Sequence, residues 1–242
     1  MPRSNLLRQP VHDPMPNVPP VCHVSEFPGT CTIRLRPLDL ELDAPVLHDW
    51  VNQDYAEFWG MKGCTVEGLR STYRSRVAKR PQHRLLIGML DDSPEPLFLL
   101  EDYRPTQDML GRYFQDTRAT DRGFHLLVAP PGQRSHPVRS IGYFILTAAT
   151  EYFFSDPEVQ RVLAEPDLRN EKMLVLCQQV GYELGPVLHL PTKTAQIEVM
   201  TRERFASLPR RPPARQASPV SAQRVRRLVF IGKVLRKLRL VR

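Results

Sequence analysis

No stretch of this sequence reaches the roughly 20 consecutive apolar residues that a membrane-crossing helix needs. Residues 1–20 also lack the apolar centre of a secretory signal. These absences predict work in the cytoplasm. Cysteine is scarce: Cys22, Cys31, Cys64 and Cys177 are the full set, and no two have CxxC spacing. That argues against a zinc site or a redox pair, so no metal is expected. Scattered thiols in a chain this long read as reduced and unpaired. No internal repeat is visible. Aromatic residues make up 8% of the chain, and only two are tryptophans, Trp50 and Trp59.

Positive charge is also missing where it would matter for nucleic acid. The chain has a net charge of +8, but residues 202–242 carry 13 Lys/Arg against one acid, Glu203. The preceding 201 residues are therefore slightly acidic. A basic tail on an acidic body does not describe a nucleic-acid-binding domain.

What remains is one domain with appendages, in a chain of 242 residues that is 41% hydrophobic. The 24 prolines are uneven, with seven in residues 1–28. Those residues read as an extended arm without structure of its own. The domain is expected over 29–205, and a basic tail over 206–242.

Within the domain, Thr32 to Leu38 alternates and reads as a strand. Asp43 is placed to cap a helix with Pro45 in its first turn, running to about Asn52. Thr65 to Arg80 reads as a second helix, ended by Pro81. Three strands follow, at Arg84 to Leu90, Pro96 to Asp102 and Gly123 to Ala129. A helix from about Ser135 to Phe154 stops at Asp156-Pro157. Then come a strand at Val159 to Glu165, a helix at Asn170 to Val180, and strands near Leu184 to Leu190 and Ala195 to Thr201. The meander and the β-helix-β step predict an α/β (α+β) domain with a mixed, mostly antiparallel sheet and helices on both faces.

Three stretches carry a resemblance. They are His48-Asp49-Trp50 with Phe58-Trp59-Gly60-Met61; PLFLLEDY from Pro96 leading to DRGFHLL from Asp121; and AEPDLRNEK from Ala164 followed by Gly181-Tyr182. Together they resemble the hydroxamate-siderophore branch of the GNAT N-acyltransferases, over about residues 30–205. The resemblance implies the GNAT fold, an acyl-CoA donor such as acetyl-CoA or succinyl-CoA, and an N-hydroxydiamine or N6-hydroxylysine as acceptor. It also implies partners among the other enzymes of such a pathway.

Acyl transfer to nitrogen needs a bound donor, an oriented nucleophile, a proton acceptor and donors for the oxyanion. The pyrophosphate of a CoA suits the loop before the long helix, where Gly132, Gln133, Arg134, Ser135 and Arg139 lie. That loop has one glycine where the family usually has more. Asn170 and Lys172, at the next helix start, are expected beside the pantetheine and a phosphate. The resemblance carries proposed catalytic roles to His125 and Asp167, and oxyanion-donor roles to the Leu127 and Val128 amides. A histidine that titrates near neutral pH suits a proton acceptor. Acceptor binding is expected from His48, Trp50, Phe58 and Trp59, with Glu101 holding a distal ammonium.

Two other readings stay open. One is a GNAT enzyme for another amine, such as an aminoglycoside. The other is a non-enzymatic module acting through its tail, where Arg224 to Arg242 carries an apolar stripe opposite a cationic face. Such a helix could touch a membrane surface, although a solubilising tail is the plainer reading.

Overall fold

A computed structural model describes residues 19–91, 93–130 and 138–209. Its centre is one eight-stranded sheet in the order β1-β2-β3-β4-β5-β6-β8-β7. The strands are β1 (His23–Phe27), β2 (Cys31–Pro37), β3 (Arg84–Leu90), β4 (Pro96–Tyr103), β5 (Asp121–Val128), β6 (Arg161–Ala164), β7 (Glu183–His189) and β8 (Thr194–Thr201). Every neighbouring pair is antiparallel except β5 and β6. That single parallel pair is joined by the crossover helix α4 (Ile141–Ser155), as the β-helix-β pattern requires.

The sheet is covered on both faces, and strand periodicity assigns the residues. On β3, Leu86 and Leu90 join the core that also holds Phe144, Ile145 and Ala148 of α4. Leu85, Ile87 and Met89 join the opposite core, under α1 (Leu40–Val51) and α2 (Val66–Lys79). The same alternation on β4 sends Leu99 to the α1–α2 side and Phe98 and Leu100 to the α4 side. Glu101 therefore lies on the α2 face and Asp102 on the other, where Arg122 grips it.

Local chemistry explains most element ends. Thr65 caps α2 by accepting the Gly68 N–H at 3.1 Å, and Pro81 forbids its continuation. Asn170 caps α5 (Glu171–Val180), which ends at Gly181 with φ +105, a value few side chains tolerate.

The start of α1 differs from the expectation. Asp39, not Asp43, is the cap, accepting the Glu41 and Leu42 N–H groups. Asp43 is instead buried and held by both terminal nitrogens of Arg36, at 2.8 and 2.7 Å. Pro45 falls inside the helix rather than in its first turn. Its missing N–H leaves the Glu41 carbonyl short of a donor, and Arg70 of α2 reaches that carbonyl at 3.5 Å.

The arm differs too. Residues 23–27, expected to lack structure, form β1, paired with β2 from His23↔Leu35 to Phe27↔Cys31. Phe27 packs on Phe144, with ring centroids 4.9 Å apart, and that burial holds the strand to the domain. Short helices that sequence periodicity did not mark occur at Asp54–Trp59, Pro105–Gln107, α3 (Leu110–Tyr113) and α6 (Arg202–Ser207).

Candidate active site

Strands β5 and β6 pair only from Asp121↔Arg161 to Gly123↔Leu163. Beyond that point β6 ends, while β5 runs on to Val128. The chains part where the parallel register would place His125 beside Glu165.

His125 is the centre of the arrangement. Its Nδ1 lies 3.2 Å from Glu101 Oε2, and its Nε2 lies 2.8 Å from Glu165 Oε1. The first contact follows from the ladder, because Glu101 and His125 are direct cross-strand partners on the same face. The second spans the opening between strands. With a carboxylate on each nitrogen, both must be N–H donors, which makes the ring an imidazolium. Burial pushes its pKa down, but the Glu165 charge and the hydrogen bonds to Glu101 and Glu165 outweigh it, raising it to about 9.

The two carboxylates are held correspondingly low. Burial raises Glu165, yet the charge and hydrogen bond of His125, with Lys193 nearby, bring it to about 2. Burial also raises Glu101, and hydrogen bonds from His125 and His83 reverse this, with the charges of His125 and Arg76 adding to them. Arg76 of α2 binds both Glu101 oxygens, at 2.6 and 2.8 Å. Lys193 approaches Glu165 to 3.7 Å.

Aromatic rings fix the imidazolium. Tyr103 stacks on it at 5.0 Å and donates its hydroxyl to Glu165 at 2.7 Å. Tyr103 lies flat because Gly123 faces it across the ladder; a Cβ there would stand 2.3 Å from the ring. Trp59 meets His125 edge-on at 6.4 Å and donates its indole N–H to Tyr73. The exposed part of His125, 38% of its side chain, opens into a cleft of about 690 Å³. Phe58, Trp59, Glu101, Asp108 and Lys193 line this cleft, together with one face of α2 and the buried His83.

The expected site residues divide between cleft and core. His125, Phe58, Trp59 and Glu101 meet at the cleft. Glu101, however, has a fully buried side chain and its oxygens serve Arg76 and His125, so it does not present a carboxylate to an ammonium. Trp50 is 1% exposed and belongs to the core under α1. His48, also on α1, contacts Asp49 at 3.4 Å and does not line the cleft. Asp167 is buried and clasped by Arg169, at 2.9 and 2.7 Å. The carboxylate beside His125 is Glu165, two residues earlier in the same motif. Alternation along β6 points to Glu165, because it continues the strand at the level of His125.

The remaining expectations concern the donor side. Ala129 donates its N–H to Leu97 of β4. The antiparallel alternation then turns the Leu127 N–H towards β4 and the Val128 N–H towards the opening. Of the two amides expected at the oxyanion, Val128 is the one that faces the opening between the strands. Asn170 accepts the Met173 N–H at 3.2 Å as a helix cap, and Lys172 is exposed in the first turn. Arg139 is exposed just before α4. Gly132, Gln133, Arg134 and Ser135 lie outside the described residues. Among the described residues no His/Cys/Asp/Glu group could hold a metal ion, and no helix is long and apolar enough to cross a membrane. Sequence reasoning missed Glu165, Arg76, Tyr103, His83 and Lys193. All five are polar residues that alternation alone would assign to a covered face or a loop.

Comparison with known proteins agrees with this architecture. A Schizosaccharomyces pombe protein provisionally named a lysine N-acyltransferase is 29% identical over 177 residues, covering 73% of this chain. The chain spans about half the length of that relative, 51%. An aminoglycoside N(6')-acetyltransferase type 1 from Klebsiella pneumoniae is 25% identical over 185 residues, covering 75% of this chain and 88% of its own. The fold matches a crystal structure of an aminoglycoside acetyltransferase in complex with coenzyme A, with TM-score 0.63 and 24% identity over 72% of this chain and 97% of that one. An uncharacterized Bacillus halodurans protein matches with TM-score 0.65 and 21% identity, covering 73% of this chain and 87% of that one. A family profile described as an acetyltransferase (GNAT) domain matches residues 39–190. That span contains both parting strands, His125 with its two carboxylates, and all of the described cleft lining but Lys193, and the chain belongs to this GNAT acetyltransferase family.

Proposed function

We propose that the protein transfers an acyl group from acyl-CoA to the nitrogen of an N-hydroxylated amine, as in hydroxamate siderophore synthesis. The observation that carries this reading is the placement of His125 between two carboxylates, Glu101 at 3.2 Å and Glu165 at 2.8 Å. An imidazolium between two carboxylates is a poor base for an alkylammonium, which must lose a proton before it attacks. A hydroxylamine nitrogen is far less basic and is already neutral near pH 7, so it needs only a sink for the proton it sheds during the reaction. Support for the hydroxamate branch comes from the motif resemblance and from the lysine N-acyltransferase name of one relative.

The acyl thioester enters the opening between β5 and β6, with its carbonyl oxygen at the Val128 N–H. The nitrogen attacks the carbonyl carbon and forms a tetrahedral intermediate. As the carbon–sulfur bond breaks, His125 gives a proton to the departing sulfur, and the nitrogen's proton returns to the pair through Glu165. A transfer along the 2.8 Å hydrogen bond restores the imidazolium. The products are the hydroxamate and free CoA.

The second reading, an aminoglycoside acetyltransferase, is favoured by the Klebsiella pneumoniae relative. The cleft speaks against it. A polycationic sugar needs free carboxylates, and among the described residues the two acids lining the cleft, Glu101 and Asp108, are each already paired with an arginine.

The test is turnover across a matrix. Acetyl-, succinyl- and a long-chain acyl-CoA are the donors. N-hydroxyputrescine, N-hydroxycadaverine, N6-hydroxylysine, their unhydroxylated forms and kanamycin are the acceptors. Thiol release and ferric-hydroxamate colour are the readouts. Turnover confined to hydroxylated acceptors is expected. Thiol release with kanamycin alone would replace the reading.

A further inference from the structure

We infer that the acceptor carries a carboxylate at the end remote from its reacting nitrogen, and that the last turn of α2 receives it. This deepens the acyl-transfer reading and rests on it.

The inference comes from the charge balance of the cleft. One face of α2 lines it, through Thr72, Ser75, Arg76 and Lys79, at the three- and four-residue spacing of a helical stripe, with the C-cap Arg80 beside them. Lys193 closes the cleft near Glu165. Among the described residues four permanent cations therefore line the cleft, beside the imidazolium of His125; of these, Lys193 and His125 face the buried Glu165 carboxylate. Among the described residues the lining carboxylates are two, Glu101 and Asp108, bound by Arg76 of α2 and by its C-cap Arg80. Lys79 is exposed and has no acidic partner among the described residues.

A bound ligand samples this imbalance in a site partly shielded from water, where charges act more strongly than in bulk. The far ammonium of a diamine would meet no available carboxylate and several cations. A far carboxylate would meet the Lys79 ammonium, the outer N–H groups of Arg80 and the Ser75 hydroxyl.

The geometry also sets the direction. Arg76 is fixed to Glu101, and Glu101 to His125, so Arg76 marks the reacting end. Lys79 and Arg80 stand about one turn, roughly 5.4 Å, farther along α2. The acceptor then lies along α2, with its hydroxylamino group at His125 and its carboxylate at the helix C-terminus. The helix dipole disfavours an anion there by a small amount, and the side-chain cations outweigh it. This reading corrects the expectation that Glu101 holds a distal ammonium, because Glu101 is fully used within the protein.

The experiment uses the full chain and a matched pair of acceptors with the same five-methylene spacer, 6-(hydroxyamino)hexanoate and N-hydroxycadaverine. They differ only in the remote group. Calorimetric binding in the presence of CoA reads the inference, and turnover with acyl-CoA reads the underlying function. The acid is expected to bind about tenfold or more tighter, equivalent to about 1.4 kcal/mol. The preference should shrink as ionic strength rises. Lys79→Gln and Arg80→Gln should each narrow the ratio between the two ligands severalfold, and Lys79→Glu should reverse it. Equal binding, tighter binding of the diamine, or no binding of either would overturn the inference. Preferential binding of the acid without turnover of either hydroxylamine would sustain the carboxylate subsite and overturn the hydroxamate reading instead.

Discussion

The Nε2 of His125 lies 2.8 Å from the Glu165 carboxylate, at the level where β5 and β6 stop pairing. The proton on this imidazole is held by the gap between two strands as much as by either residue. His125 is raised from 6.5 to about 9, so the imidazolium is present at neutral pH and lost as pH rises through 9. Activity that needs the imidazolium should fall on that alkaline limb. Glu165→Gln removes the largest factor that raises His125, so the limb should move towards neutral pH. The rate at pH 7 should fall by about 10²–10⁴. A pH–rate profile of kcat/KM for both proteins measures this; an unmoved limb would show that His125 does not set it.

Arg76 and Glu101 form the buried end of the same chain of charges. Arg76→Met leaves Glu101, which is fully buried, facing only the histidines. Removing one partner of a buried pair costs about 3–5 kcal/mol. Arg76 is partly exposed, so the lower end of that range is expected. The double variant Arg76→Met, Glu101→Leu should recover part of the loss in urea denaturation, because it leaves no orphaned charge.

Gly123 and Tyr103 are related sterically. In Gly123→Ala the new methyl would press on the Tyr103 ring, which backs His125 and bonds Glu165. Overpacking of this kind costs about 1–3 kcal/mol. Turnover should fall by more than the modest loss of thermal stability implies. The smaller, ringless side chain of Tyr103→Leu, combined with Gly123→Ala, should restore stability without restoring rate.

Glu198 offers a test away from the cleft. Burial raises its pKa from 4.5 to about 8, against a hydrogen bond from Gln178 at 2.6 Å. The folded protein therefore keeps a proton that the unfolded chain releases between pH 4.5 and 8. Stability should decline across that window, by up to about 1.36 kcal/mol per pH unit. Glu198→Gln should flatten the decline and be the more stable protein at pH 8. Urea midpoints at pH 5.5 and 8 decide it; parallel slopes for the two proteins would rule out Glu198 as the cause.

Much of this fold is legible because hydrophobic spacing and stop signals agree locally. Thr65 and Pro81 bracket α2, Asn170 and Gly181 bracket α5, and β3 and β4 read directly as apolar runs. The errors come from long-range effects. Asp43 looks like a cap, but Arg36, seven residues earlier, draws it into the core. Residues 23–27 look unstructured because the partner that orders them, Phe144, is far along the chain. At the site, His125 is legible from its motif. Its true carboxylate neighbours depend on sheet register, which selects Glu101 and Glu165, while Asp167 is held by Arg169 two residues on.

The cluster at His125 and the stripe on α2 belong to different layers of the molecule. Glu101, His125 and Glu165 stand on or directly after sheet strands, pinned by neighbours on each side. Lys79 and Arg80 occupy the end of one helix, where exposed side chains can change without disturbing a register. Bond-making and choice of partner are thus inherited on separate parts of the chain. A lineage could exchange one helical turn and acquire a new acceptor while its reaction centre stayed the same.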